Sequence, residues 1–284
     1  MAVLMAATLL NTVDRLLPTI LAEPIKHDLS LSDTALGFIN GFGFLLVYAV
    51  MSIPIARVSD RGRYGVAISL CLAAWSAMTA LGGLARTGLQ LGLTRMGVAV
   101  GEAGSIPAAH AFISRRFEPE RRATPLAVLT LAAPLGGVAA ALGGGLLGQA
   151  IGWRRTLVAL GLCGLLLAPL VLMALGARPA AQAGEAPQAP GLGSVARLFR
   201  KRSFLLLLAG SGATGMGAYA MVAFGPAFLM RAHGLTLRQV GTDYGLTQGL
   251  SGVAGLLLVG VLADRLARRD PRWRIWLAAL MIAL

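Results

Sequence analysis

Cysteine is nearly absent from this sequence, which has only Cys71 and Cys163 among 284 residues. Both lie in long apolar segments, where cysteine serves as a small packing residue, and they form neither a disulfide framework nor a metal-binding cluster. Charged residues make up only 13% of the chain and aromatic residues 6%, whereas 56% is hydrophobic. With a mean hydropathy of +0.74, this composition argues against a soluble globular domain.

Catalytic motifs are also missing. The sequence has no Gly-x-Ser-x-Gly, no His-Glu-x-x-His and no Gly-x-x-x-x-Gly-Lys, so a hydrolase, a metalloprotease and a nucleotide-driven pump all lack their characteristic residues. We therefore expect no enzyme activity, no cofactor and no metal site.

Apolar runs of about twenty residues recur along nearly the whole chain and predict a helical membrane protein with many spans. Because the bilayer core holds no water, each run must satisfy its own backbone hydrogen bonds and is expected to be helical. The alternating ten-residue segments of an outer-membrane barrel are absent. The predicted spans cover residues 2–22, 34–56, 65–85, 88–112, 124–148, 155–176, 204–230 and 237–262, and a ninth begins at Trp273.

The net charge of +13 is concentrated in loops on one side of the predicted spans. If the turn at Asp60 is cytoplasmic, most of the excess arginine is inside, as the positive-inside rule requires. This predicts a bacterial-type inner (plasma) membrane protein with a cytoplasmic N-terminus, and it argues against nucleic acid as the partner.

A short charged turn occurs twice. In each copy an Asp-Arg pair ends an apolar run, a small residue stands four positions before the pair, and basic residues follow. The residues involved are Asp60, Arg61 and Arg63 in the first copy and Asp264 and Arg265 in the second. The separation leaves room for about six spans, which suggests two homologous halves. The turns are either a cytoplasmic gating motif or ordinary solvated helix ends.

Four charges lie near the centres of predicted spans: Asp14 and Arg15 in the first, and Arg95 and Glu102 in the fourth. A charge at the bilayer centre costs about 2.5–3.5 kcal/mol on insertion scales, so such residues face a bundle interior or a cavity. Arginines beside a buried carboxylate tune its protonation. With Asn11 one turn away, these residues are predicted to form a proton-coupling and substrate cavity; the alternative is a set of static ion pairs that fix helix packing.

The spans divide the chain into three predicted parts. Residues 1–177 form a six-helix half, residues 178–203 a cytoplasmic linker rich in Ala, Pro and Gly, and residues 204–284 a partial second half of about two to three helices. Tyr219 and Phe224 in that partial half are candidate cavity aromatics, although core packing is the commoner role. Because the ninth run ends after about a dozen residues, we expect a truncated C-terminal half.

The repeated turn resembles the signature of the major facilitator superfamily, whose fold is two six-helix halves around a central cavity. The first copy departs from that signature, because Ala56 replaces the usual glycine and residues 61–63 are one residue tighter. A narrower resemblance to spinster-like transporters comes from Asn11 to Arg15 (Asn-Thr-Val-Asp-Arg), Arg95 with Gly-Glu-Ala at 101–103, and Phe-Gly-Pro-Ala-Phe at 224–228. The resemblance implies that Asp14, Arg15, Arg95 and Glu102 couple protonation to alternating access, and that the substrate is lysolipid-like or another small organic solute.

The sequence therefore predicts a monomeric secondary transporter that moves a small amphipathic or anionic organic molecule in exchange or together with protons. Three alternatives stay open: a proton/drug antiporter of the same fold, an inactive truncated transporter, and a channel. A channel would need a symmetric ring of pore-lining residues, which two unlike halves in one chain do not favour.

Overall fold

The chain folds into helices, and no strand occurs in the ranges 1–59, 62–118, 121–176, 197–270 and 272–283, which are the residues that the computed structural model describes. Six of these helices are long and apolar enough to cross a membrane. Residues 1–176, the first group, contain α1 (Ala2–Ile20), α2 (Ala22–Leu29), α3 (Asp33–Gly37), α4 (Gly43–Ser59), α5 (Tyr64–Gly83), α6 (Gly88–Glu102), α7 (Ser105–Arg116) and α8 (Ala123–Leu175). Residues 197–283, the second group, contain α9 (Arg202–His233), α10 (Leu237–Gln239), α11 (Gly245–Ala267) and α12 (Trp273–Ala283).

The second and eighth predicted spans begin in the same way. Ser32 accepts a hydrogen bond from the first turn of α3, and Thr236 caps α10 through a capping box. In both spans a π-helical turn follows, Phe38–Phe42 in one and Val240–Tyr244 in the other, before the long helix starts. The repeat inferred from the Asp-Arg turns therefore extends to the backbone.

The fifth and sixth predicted spans are joined without a loop. Helix α8 is interrupted only at Gly152, where φ is 81° and ψ is 160°, a conformation that glycine adopts most readily. Residues before Gly152 pack on α1, whereas residues after it pack on α5, with Arg154 beside Gly83 and Gly176 beside Gly65. The second arm of α8 thus runs antiparallel to α5.

The fourth span is not the single helix predicted for residues 88–112. Helix α6 ends at Glu102 and α7 begins at Ser105. Pro107 in the first turn of α7 has no N–H to bond the carbonyl oxygen of Ala103, so one helical hydrogen bond is lost at the break. The break places Glu102 at a helix end.

Two clusters of buried apolar side chains fill the first group, and α1 contributes to both. One cluster includes Leu17 and Trp153, and the other includes Leu4 and Trp75. Between its two apolar ends α1 carries buried polar side chains, among them Asp14. The fold thus holds a polar layer between two apolar ones.

Helix α9 begins at Arg202, one residue before the predicted end of the linker at residue 203. Residues 177–196, which include most of that linker, lie outside the described residues.

Candidate functional site

Asp14 and Arg95 form an ion pair with almost no solvent contact, at 1% and 3% exposure. Arg95 Nη1 donates a hydrogen bond to Asp14 Oδ1 at 2.9 Å, and the hydroxyl of Thr79 donates to Asp14 Oδ2. The carboxylate therefore joins three helices, α1, α5 and α6. Burial without these partners would be costly, because an isolated charge in a low-dielectric interior loses its hydration.

Arg15 and Glu102 form a second ion pair between α1 and α6. Arg15 Nη2 and Nε lie 2.8 and 3.1 Å from the same carboxylate oxygen, Glu102 Oε2. The Glu102 side chain is fully buried, whereas that of Arg15 is 24% exposed. Glu102 Oε1 has no hydrogen-bond partner among the described residues, so this carboxylate keeps one oxygen available.

Two aromatic rings of α4 lie beside the arginines: Phe44 is close to both, and Tyr48 is close to Arg15. The Arg15 guanidinium is 4.7 Å from the centre of the Tyr48 ring, and that of Arg95 is 5.1 Å from the centre of the Phe44 ring. At these distances the negative ring faces attract cations. Sequence reasoning missed both aromatics; their four-residue spacing on one helix face is the only signal that points to them.

Asn11 is 3% exposed and adds a polar group to the same layer of α1. Its Nδ2 and the Nε of Arg95 have no hydrogen-bond partner in the described part of the chain. Leaving a buried donor without a partner costs free energy. These two donors and the acceptor Glu102 Oε1 are therefore groups that a bound solute could pair with. Among the described residues, no group of three or more His, Cys, Asp or Glu could hold a metal ion.

Tyr219 and Phe224 of α9 line a cavity of about 160 Å³ between the two groups. The opposite wall includes Asn40 and Gly41 of the first π-helical turn. The charged side chains that line this cavity are Glu23, Asp33 and Arg231, and the predicted site residues Asn11, Asp14, Arg15, Arg95 and Glu102 are not part of its lining.

The predicted gating motif is only partly visible. Arg63 precedes α5 and is exposed, and Arg265 is exposed near the end of α11. Asp60, Arg61 and the side chain of Asp264 lie outside the part of the chain that the structure describes.

The helical bundle with its buried charge layer has the architecture of a known family of membrane proteins. The model of the Major Facilitator Superfamily matches residues 3–284, and the chain belongs to that superfamily of membrane transport proteins. The predicted fold, a complete six-helix half followed by part of a second half, is confirmed by this match and by solved structures of the family.

Two curated proteins illustrate the range of relatives. An "MFS-type efflux pump" of Mycolicibacterium smegmatis is 56% identical over 268 residues, covering 94% of this chain and 62% of that protein. The "Hexuronate transporter" of Bacillus subtilis is 26% identical over 281 residues, covering 95% and 65%.

A solved structure supports the spinster-like resemblance. The crystal structure of a bacterial homologue of the human lysosomal transporter spinster, inward-facing and unoccupied, superposes with a TM-score of 0.82 at 31% identity and covers 94% of this chain and 62% of that one. The present chain thus spans about 62% of the length of these relatives.

Proposed function

We propose that the protein is a proton-coupled secondary transporter that moves a small amphipathic or anionic organic solute by alternating access. The observation that carries this proposal is the crossed pair of buried ion pairs, Asp14 with Arg95 and Arg15 with Glu102, between α1 and α6. Charges persist inside a membrane bundle where they serve a pathway for ions, protons or substrate.

The two ion pairs have different roles in the proposed cycle. The fully buried pair of Asp14 and Arg95 holds α1 against α6. Arg15 is partly exposed, so it is the arginine that an anionic group of the solute contacts. A proton on Glu102 neutralises the carboxylate and weakens its 2.8 Å contact with Arg15, which frees the guanidinium for that solute.

The name of one relative supports an organic anion as the solute, and the name of another speaks of efflux. The relative at 56% identity is described as an efflux pump, the one at 26% is described as a hexuronate transporter, and the superposed structure is a spinster homologue. Because a proton on Glu102 frees Arg15 for the solute, proton and solute are bound together, and we propose that they cross the membrane in the same direction. We also propose a monomer in a bacterial inner membrane, with the N-terminus in the cytoplasm and the parts 1–177, 178–203 and 204–284 as two halves and a linker.

A proton/drug antiporter is the second candidate. The relative described as an efflux pump favours this candidate, and the apolar side chains of the cavity, among them Leu36 and Phe224, could contact a hydrophobic cargo. In that case transport would follow the hydrophobicity of the solute, and an anionic group would not be required.

The test uses the protein expressed from its complete reading frame and reconstituted in proteoliposomes. A pH gradient is imposed, and proton flux is followed while sugar acids, lysolipids and cationic drugs are added in turn. Glu102→Gln, which keeps the shape of the side chain, is expected to abolish solute-dependent proton flux. Asp28→Asn is the matched control, because Asp28 pairs with Arg154 at the surface.

The outcomes of this assay test the coupling role of Glu102 and distinguish the two candidate functions. Flux that is lost in Glu102→Gln and retained in Asp28→Asn supports the coupling role. Unchanged flux in Glu102→Gln contradicts it. Flux that responds to cationic drugs and ignores anions favours the antiporter.

A further inference from the structure

A single arginine joins the two groups of helices at one end of the molecule. Arg231, near the end of α9, donates from Nε to Glu23 Oε1 at 2.8 Å and also contacts this oxygen through Nη2. The same guanidinium donates to both oxygens of Asp33, at 3.0 Å from Nη1 and 2.6 Å from Nη2. One side chain of the second group thus holds α2 and α3 of the first.

The charges in this contact are balanced. Lys26 Nζ lies 2.8 Å from Asp33 Oδ1, so two cations face the two carboxylates. The Glu23 side chain is 10% exposed, whereas those of Arg231 and Asp33 are 41% and 48% exposed. A bidentate contact between arginine and a carboxylate is stronger than a single charged hydrogen bond. Ion pairs that are partly exposed to solvent nevertheless contribute little stability each. The contact is therefore specific and can still be opened.

The ion pairs form a wall of the cavity that contains Tyr219. Arg231, Glu23 and Asp33 all line it. Separating them would open this cavity toward the end of the molecule where α9 ends.

The close approach of the two groups begins at the Arg231 end and continues along α11 to Gly249, where an added Cβ would overlap the Val138 side chain. A Cβ on Gly241 would lie 2.6 Å from Gly145 Cα, so α8 and the second π-helical turn touch backbone to backbone there. Further along α11, a Cβ on Gly252 would have Pro134 as its nearest neighbour at 3.6 Å, and a Cβ on Gly255 would meet no described atom within 4 Å. The two groups therefore meet at the Arg231 end and separate toward the Asp264 end.

We propose that Arg231, Glu23 and Asp33 form a latch that keeps the Arg231 end of the cavity closed, and that releasing it opens the cavity on that side. The inference rests on the proposed function, because alternating access requires this end to open. The effect of the latch on accessibility is nevertheless measurable without any transport.

The experiment measures how fast one cavity residue reacts from the outside. Ala223, which lines the cavity, is changed to Cys in a background with Cys71→Ala and Cys163→Ala. A membrane-impermeant maleimide is applied to the side of the Arg231 end. Arg231→Gln is expected to raise the labelling rate about tenfold, the factor that a loss of about 1.4 kcal/mol gives.

Arg154→Gln is the matched control. Arg154 lies at the same end and pairs with Asp28, but both residues belong to the first group. Its loss removes an arginine from the same surface without separating the groups, so the labelling rate should stay unchanged. Equal rates in Arg231→Gln and Arg154→Gln would overturn the latch.

A second variant covers the case in which Arg231→Gln does not fold. The double change Glu23→Gln with Asp33→Asn removes both negative charges that hold Arg231 and should raise the labelling rate in the same way; an unchanged rate would overturn the proposal. If labelling rises but no solute moves with protons in liposomes, the proposed function fails and the latch stands.

Discussion

Asp14 and Arg95 are both buried, so each needs the opposite charge of the other to stay ionised without a large loss of stability. Asp14→Asn leaves a guanidinium without its counter-ion, and breaking a buried pair in this way costs about 3–5 kcal/mol. Adding Arg95→Met removes the stranded charge, so the double variant should lose much less stability than the sum of the two single changes. Equilibrium unfolding of the purified variants in detergent measures the difference.

Asp28→Asn is the control for this cycle, since its partner Arg154 is 38% exposed and surface pairs contribute about 0–1 kcal/mol. Additive losses in the double variant would show that Asp14 and Arg95 are not energetically coupled.

The sequence identified which residues carry charge in the polar layer, but it could not assign their partners. Residues 14 and 15 are adjacent, so they point about 100° apart on the helix, and each meets a different residue of α6. Phe44, Tyr48 and Thr79 were missed because aromatic and hydroxyl side chains are ordinary in membrane helices. The ion pairs of Arg231 were missed because its partners lie far away in the chain.

The bend in helix α8 at Gly152 can be tested by a single substitution. The φ of 81° and ψ of 160° at Gly152 fall in a region that is essentially restricted to glycine, where other residues lose about 1–3 kcal/mol. Gly152→Ala should therefore lower the unfolding temperature in detergent, although a Cβ there would meet no described atom within 4 Å.

Gly143 provides the matched control, because it lies in the same helix with helical backbone. A Cβ added at Gly143 would likewise meet no described atom within 4 Å. Gly143→Ala should be neutral or stabilising, because alanine is the better helix former. Equal destabilisation by both substitutions would mean that the turn at Gly152 is not strained by a side chain.

Hydropathy predicted the helical spans well and their details poorly. The apolar runs at the start of the chain match α1 and α5 within a few residues, because the bilayer forces such runs to be helical. The break after Glu102 and the single-residue turn at Gly152 depend on Pro107 and on a backbone angle. An average over about twenty residues does not detect either of them.

At the scale of the whole molecule, the proposed orientation gives a direct prediction. Arg86 follows Ala85, whose carbonyl oxygen accepts a hydrogen bond from Arg154 at the end of the molecule that contains Arg231, and Arg269 follows α11 at the opposite end. In a background without Cys71 and Cys163, Arg269→Cys should react with an impermeant maleimide only after cells are opened, whereas Arg86→Cys should react in intact cells.

The reverse pattern would place the N-terminus outside and would contradict the positive-inside assignment. Labelling of both sites after permeabilisation is the control that each cysteine is accessible.

The crossed ion pairs have a consequence for how the protein responds to voltage. When all four are ionised, the two carboxylates and two guanidinium groups of Asp14, Arg15, Arg95 and Glu102 carry no net charge. In the proposed cycle, the unloaded form would reorient across the membrane field without carrying these charges as a net current. Each bound proton or anion would then add its own electrical work, about 2.3 kcal/mol per elementary charge at 100 mV, so the membrane potential would act only on loaded forms whose proton and solute charges do not cancel.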